Sequence, residues 1–263
     1  MMRILQRGFK YLIGCTIAVL VCITAIPSWA AITGPTVTNS VTTDLSVTTQ
    51  TTSLTIGSCT QCAVFACVAQ EGNTGVKPTG IAFNTSENFT EIVTATRTFA
   101  GVEIIVTLFR LINPTVTTAN AVVSFNAAGN NDRALGSSFL LYQGVDQSTP
   151  AEASNTANNT GTTLTVSTNS LSANAVGIDC AYGDASGGLT VDGAQTMDVD
   201  RALNTNAGGQ GVSHIAIASP GAQAMTWTQS SDDWVHVIAI VKPYSAASTC
   251  NGGLPMLGIG IGC

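Results

Sequence analysis

Residues 63–69 read Ala-Val-Phe-Ala-Cys-Val-Ala, a short apolar run with no helical polar face. Such a run, carrying Val64, Phe65 and Val68, reads as a strand covered on both of its faces. Ala175–Cys180 and Val235–Val241 have the same character and are expected to be central strands too. From residue 35 onward, period-two alternation and β-branched residues dominate, broken by Gly, Asn, Asp and Pro. The remaining expected strands are Thr36–Val47, Ser53–Ile56, Gly80–Phe83, Thr90–Ala95, Val102–Leu111, Ala121–Asn126, Ser137–Gly144, Thr162–Ser167, Gly188–Val191, Thr196–Leu203, Gly211–Ala218 and Ala222–Gln229, with Ala175 continuing to Tyr182 and the last strand spanning Trp234–Lys242. Val102–Leu111 and Ala222–Gln229 alternate most clearly and are expected to keep one wet face. No segment has a sustained 3.6-residue stripe between caps, which argues against a parallel α/β sheet. So many short strands exceed one sheet. The expected architecture is all-β: a two-sheet antiparallel β-sandwich, jelly-roll-like, in a single domain.

The amino terminus is of a different kind. Arg3, Arg7 and Lys10 precede an apolar stretch from Tyr11 to Ile26, then Pro27 and the small-residue site Ser28-Trp29-Ala30. This order is that of an export signal, residues 1–30, with cleavage expected after Ala30 or Ala31. A membrane is expected to be engaged only through this segment, and only if it stays uncleaved. Residues 31–245 form the expected β-sandwich domain, and residues 246–263 a Gly-rich tail bracketed by cysteines. The whole chain carries nine Lys+Arg and fifteen Asp+Glu. Removing the three basic residues of the signal leaves six against fifteen, a net charge of −9. That surface repels phosphate backbones, so nucleic acid is not expected as a partner. Lysine occurs only at positions 10, 77 and 242, leaving sheet edges without the residue most used to prevent edge pairing.

Of the eight cysteines, Cys59, Cys62, Cys67, Cys180, Cys250 and Cys263 follow the signal. An even number in an exported chain reads as disulfides. The expected pairs are Cys59–Cys62, Cys67–Cys180 and Cys250–Cys263. The alternative for Cys67 and Cys180 is a pair of buried thiols. The Cys59-Thr60-Gln61-Cys62 spacing also occurs in redox and zinc sites, but a strand-like run follows it instead of a helix, and His214 and His236 stand alone and distant.

The succession Val102–Leu111, Asn113-Pro114, Val122–Phe125, Gly144-Val145-Asp146-Gln147-Ser148-Thr149-Pro150, Met225-Thr226-Trp227-Thr228 and Trp234–Pro243 resembles a family of secreted bacterial β-sandwich surface domains. The likeness covers roughly residues 36–243, and its best signature is the Gly-Val-Asp-Gln-x-Thr-Pro segment. It implies fold and location and transfers no catalytic residue. The paired cysteines and the tail depart from the family's pattern.

Asp198-Val199-Asp200 would put two carboxylates on one side of an extended segment, making Asp198 and Asp200 the candidates for calcium. The competing reading is a solvated acidic face. Asp146 is expected to bond the amides of its own turn. Glu87 and Glu91, four residues apart on a straight strand, would stand about 13 Å apart, too far for a glycosidase pair. Neither histidine lies near a nucleophile motif, and no catalytic residue or cofactor is expected. Trp227 and Trp234 are expected in the core, which leaves little aromatic surface for sugar. Leu257, Ile259 and Ile261 of the tail share one face of any strand and could dock on a sheet edge; the competing reading is a disordered leftover. The chain is therefore expected to be a secreted, extracellular or cell-surface structural, adhesive or assembly protein, self-associating through sheet edges or the tail. A carbohydrate-binding module is the alternative, with polysaccharide as partner, and a glycan-active hydrolase the third reading.

Overall fold

The computed structural model describes residues 31–42, 47–127, 135–185, 188–203 and 208–245. Residues 1–30, where an export signal is expected, and residues 246–263, with Cys250 and Cys263, lie outside them. Ala31–Tyr244 is one compact unit. The described residues are all-β, with no helix. In chain order the strands are β1 Thr33–Thr42, β2 Thr49–Thr55, β3 Ala63–Asn73, β4 Pro78–Phe83, β5 Glu87–Asn88, β6 Thr90–Phe99, β7 Val102–Ile112, β8 Thr118–Phe125, β9 Leu135–Gln143, β10 Ala151–Ser170, β11 Ala175–Gly183, β12 Thr190–Val191, β13 Thr196–Ala202, β14 Gly209–Ile217 and β15 Gly221–Val241.

The antiparallel sandwich is present, and its sheets number three where two were expected. A five-stranded sheet has the order β1-β9-β3-β7-β6 and a four-stranded sheet β2-β8-β4-β5. With β6 set aside, the chain crosses between these two sheets after β1, β2, β3, β5, β7 and β8, and the two strand orders, β1-β9-β3-β7 and β2-β8-β4-β5, are those of a jelly roll. The third sheet has six strands, β10-β15-β11-β14-β13 with β12 paired to the far arm of β15, and comes entirely from the chain after residue 150.

The five-stranded sheet lies between the other two. On β3, Phe65, Cys67 and Ala69 join a core with Ile178, Cys180, Val212 and Val237 of the six-stranded sheet. Val64, Ala66 and Val68 join a second core with Leu54, Ile81, Phe83 and Val123 of the four-stranded sheet. This is why residues 63–69 are apolar at every position. Strand β7 follows suit: Ile104, Val106 and Leu108 face one core, Phe109 and Leu111 the other. The wet face expected for β7 is therefore absent, because a middle layer has none.

The six-stranded sheet has its own cover. Strands β10 and β15 pair along nearly their whole length, with register breaks at Gly161/Thr163 on one strand and opposite Thr228/Asp232 on the other. The side-chain amide of Gln229 ties this bend by donating to the carbonyls of Gly161 at 3.2 Å and Asp232 at 3.1 Å. Beyond it the ribbon lies over the outer face of the sheet, where Val166 and Met225 pack on Ala175, Ile217, Ile238 and Ile240. Leu164 and Trp227 pack on Ala181, Leu189 and Trp234. A Cβ on Gly211 would sit 3.0 Å from the Trp227 ring, so glycine makes the space for the indole.

Cys67 and Cys180 form a disulfide across the core, Cα to Cα 5.7 Å, joining the five- and six-stranded sheets. It closes a sequence separation of 113 residues. Replacing both cysteines with alanine is expected to lower the unfolding free energy by about 3–5 kcal/mol. The urea midpoint reads this directly; an unchanged midpoint would mean that the layers do not depend on the bridge.

Candidate functional site

An aspartate in the centre of an apolar strand needs a reason. On β11 the side chains of Val176, Ile178, Cys180 and Tyr182 turn to the core shared with the five-stranded sheet. Alternation sends Asp179 the other way, under the folded ribbon. There its Oδ1 accepts from the Ser213 backbone amide at 2.7 Å and the Ser213 hydroxyl at 2.8 Å. Its Oδ2 accepts from Trp227 Nε1 at 2.8 Å, His236 Nε2 at 2.9 Å and Gln195 Nε2 at 3.3 Å. Asp179, Ser213, Trp227 and His236 are all fully buried. A carboxylate only accepts, so Nε2 of His236 is the donor here, and Nδ1 has no hydrogen-bond partner among the described residues.

A serine, a histidine and an aspartate in contact invite comparison with a hydrolase triad, and the connectivity differs. In a triad the histidine stands between the other two. Here the aspartate does. The cluster clamps three elements: β11 through Asp179, β14 through Ser213, and the two arms of β15 through Trp227 and His236. Replacing Asp179 with alanine leaves these buried donors without their acceptor and is expected to cost about 3–5 kcal/mol. Tryptophan emission should shift to the red as the ribbon loosens. Native emission and an unchanged midpoint would remove the clamp role.

Between the five- and six-stranded sheets lies a second set of polar contacts. Arg201 donates from Nε to Gln210 Oε1 at 2.9 Å and from Nη2 to the Ser137 carbonyl at 2.9 Å and Ser138 Oγ at 3.1 Å. Burial draws its guanidinium down to about 10, which leaves it charged at neutral pH. The Tyr182 hydroxyl donates to Glu71 Oε2 at 2.6 Å and accepts from the Gly208 amide at 2.9 Å. Asp184, beside this pair, is pushed up to about 7, first by burial and then by the charges of Glu71, Asp232 and Asp233 and a hydrogen bond with Glu71.

A carboxyl raised from 3.8 to about 7 on folding binds its proton more tightly in the folded state. Its contribution is whole below about pH 4 and is lost as pH rises toward about 7. Urea midpoints for the natural chain should therefore fall across that window more than those of Asp184→Asn. Parallel profiles for the two proteins would contradict this assignment.

The two residues proposed for calcium have different partners. A bulge between Met197 and Val199 interrupts the β13 register, and Asp198 pairs with His214 Nδ1 at 2.8 Å. Asp200 instead faces the Leu189 amide at 3.4 Å. Among the described residues, no group of three or more His, Cys, Asp or Glu side chains is placed to hold a metal ion. Cys59 and Cys62 form a disulfide, Cα to Cα 5.8 Å. Glu87 caps the Thr115 amide at 3.0 Å, while Glu91 accepts from Thr94 Oγ1 at 2.8 Å. Trp227 and Trp234 lie in the core.

The Gly144–Pro150 segment links β9 to β10 and is a tightly bonded turn. Asp146 Oδ1 accepts from the Thr149 amide at 2.7 Å, the Ser148 amide at 2.9 Å and the Ser148 hydroxyl at 2.7 Å. Partial burial alone would raise the Asp146 carboxyl, but these bonds and the Lys242 charge outweigh it and hold it at about 2. Sequence reading missed Ser213, Gln195, Gln210 and Arg201. Gln195, Arg201 and Gln210 stand among polar residues and glycines and Ser213 beside His214, so no local signal marks them. No protein-family model, curated protein or solved structure matches the chain.

Proposed function

We propose that the protein is a secreted structural or adhesive component of an extracellular or cell-surface layer, assembling through its sheet edges. One observation carries this reading: β10 is an edge strand of twenty residues with a single ionisable side chain, Glu152. That carboxylate is turned away to cap its own loop, accepting from the Leu171 and Ser172 amides at 2.8 and 3.0 Å. The rest of the strand offers Ser, Thr, Asn, Ala, Gly, Leu and Val, with no lysine and no proline. Long edges are ordinarily protected by such residues; apart from the stretch beside β6, where Arg97 donates to Thr160 Oγ1 at 2.6 Å and Asn158 donates to the Thr96 carbonyl at 3.2 Å, this edge lacks them and is a template for strand pairing.

The outer faces support the same reading. On β2, Thr49, Thr51, Ser53 and Thr55 point outward in strict alternation, and Thr55 and Thr118 join hydroxyls at 3.0 Å. The folded ribbon repeats the device at Thr165 and Thr226, 3.1 Å apart. Uncharged hydroxyl rows carry no like-charge repulsion that would hold copies apart. The two disulfides accord with an oxidising compartment. A carbohydrate-binding module would need exposed rings, and Trp227, Trp234, Tyr142 and Tyr182 are all buried.

Sedimentation of the exported chain over rising concentration tests the proposal. Concentration-dependent assemblies are expected, and Thr156→Lys with Thr163→Lys on the β10 edge should suppress them at an unchanged melting temperature. A chain that stays monomeric throughout, or assemblies indifferent to the lysines, would refute edge pairing.

A further inference from the structure

Each sheet has two edge strands, and they are protected unequally. The edges are β1 and β6 in the five-stranded sheet, β2 and β5 in the four-stranded sheet, and β10 and β13 in the six-stranded sheet. Three of them are guarded in the usual ways, by charge or by shortness. Strand β6 carries Glu91 and Arg97, β13 carries Asp198, Asp200 and Arg201, and β5 is two residues long and includes Glu87. The other three, β1, β2 and β10, have one ionisable side chain between them, Glu152. Every sheet therefore has one guarded edge and one unguarded edge.

The unguarded edges fall on opposite sides of the molecule. Strand β10 lies over β6, where Asn158 donates to the Thr96 carbonyl and Arg97 to Thr160 Oγ1, and β6 is the end of the five-stranded sheet farthest from β1. Over the β1 end stands β13 instead: its Arg201 donates to the carbonyl of Ser137 on β9, the neighbour of β1, at 2.9 Å. Strand β2 packs beside β1 there. Pro35 is confined to the irregularity between Thr33 and Thr36, and from Thr36 to Thr42 the pairing with β9 runs without a break. Residues 36–42 read Thr-Val-Thr-Asn-Ser-Val-Thr, with no charge, proline or glycine. Their alternate amides and carbonyls form a regular row on the side away from β9, and among the described residues no strand pairs with it.

We propose that β1 is a second docking edge for another copy of this chain, so that each copy is joined on two opposite sides. The inference rests on the assembly reading, which supplies the first edge, β10. The occupant is another copy because the rows on β1 and β10 are alike, built mainly of Thr, Ser, Asn and small apolar residues, and their pairing sets no like charges against each other. A copy with a single open edge can only pair off. One with open edges on opposite sides passes growth on, and the assembly extends past two copies.

Thr36→Lys with Asn39→Lys tests the second edge, both side chains being exposed. Sedimentation is read at concentrations where the natural chain assembles. The natural chain is expected to grow past two copies, and the β1 variant to stop at two or fewer with an unchanged melting temperature. Should the double variant melt lower, Thr36→Lys and Asn39→Lys are measured singly with the same expectation. Growth past two copies in a folded β1 variant would overturn the second edge, as would a natural chain that stops at two; either result leaves pairing at β10 standing. A natural chain that stays monomeric would remove both.

Discussion

The whole structure depends on the five-stranded sheet having to bury two faces at once. A sheet in an ordinary sandwich covers one face and wets the other, and its strands alternate accordingly. Strands β3 and β7 cannot be wetted on either side. The four-stranded sheet covers one face, completing the jelly roll, and the stretch after residue 150 supplies a third sheet for the other. That third sheet then presents an apolar outer face of its own, with Ile238 and Ile240, and the bent end of the β10–β15 ribbon closes over it. Each layer creates the need for the next until the surface becomes threonine and serine.

Apolar layers slide over one another more readily than polar contacts allow, and here specific polar bonds sit at each interface. Ser137 Oγ meets Gln50 at 2.7 Å between the four- and five-stranded sheets. Arg201, Gln210 and Ser138, with Glu71 and Tyr182, join the five- and six-stranded sheets. Asp179 holds the ribbon. Because an unpaired buried polar group is penalised more heavily than a paired one is rewarded, each of these contacts fixes register. The cluster around Asp179 ties β11, β14 and both arms of β15 in one set of buried bonds.

Many of the strand positions could be read from the sequence, because most of these strands are half or wholly buried and hydrophobic period marks them. Ala63–Ala69, Ala175–Tyr182 and Thr196–Leu203 begin where the structure begins β3, β11 and β13. The first half of β10 could not be read that way: Glu152-Ala153-Ser154-Asn155-Thr156-Ala157-Asn158-Asn159 has no apolar period because an edge strand buries little. Ser230–Asp233, which looked like a break between two strands, instead lies within β15. The third layer was hidden for a related reason. An apolar run at both parities says that both faces are covered, but not by what. Likewise, Asp179 was visible as an acid in an apolar strand, whereas its partners Ser213, Gln195 and His236 are brought to it by pairing between segments distant in sequence.

The central claim is that β3 and β7 form a layer enclosed on both faces, and native-state amide hydrogen exchange measures that enclosure strand by strand. The account predicts that amides of residues 64–69 and 104–109 exchange only through global unfolding, while those along the outer side of β10 exchange orders of magnitude faster. Exchange in β3 and β7 as rapid as at the β10 edge would contradict it.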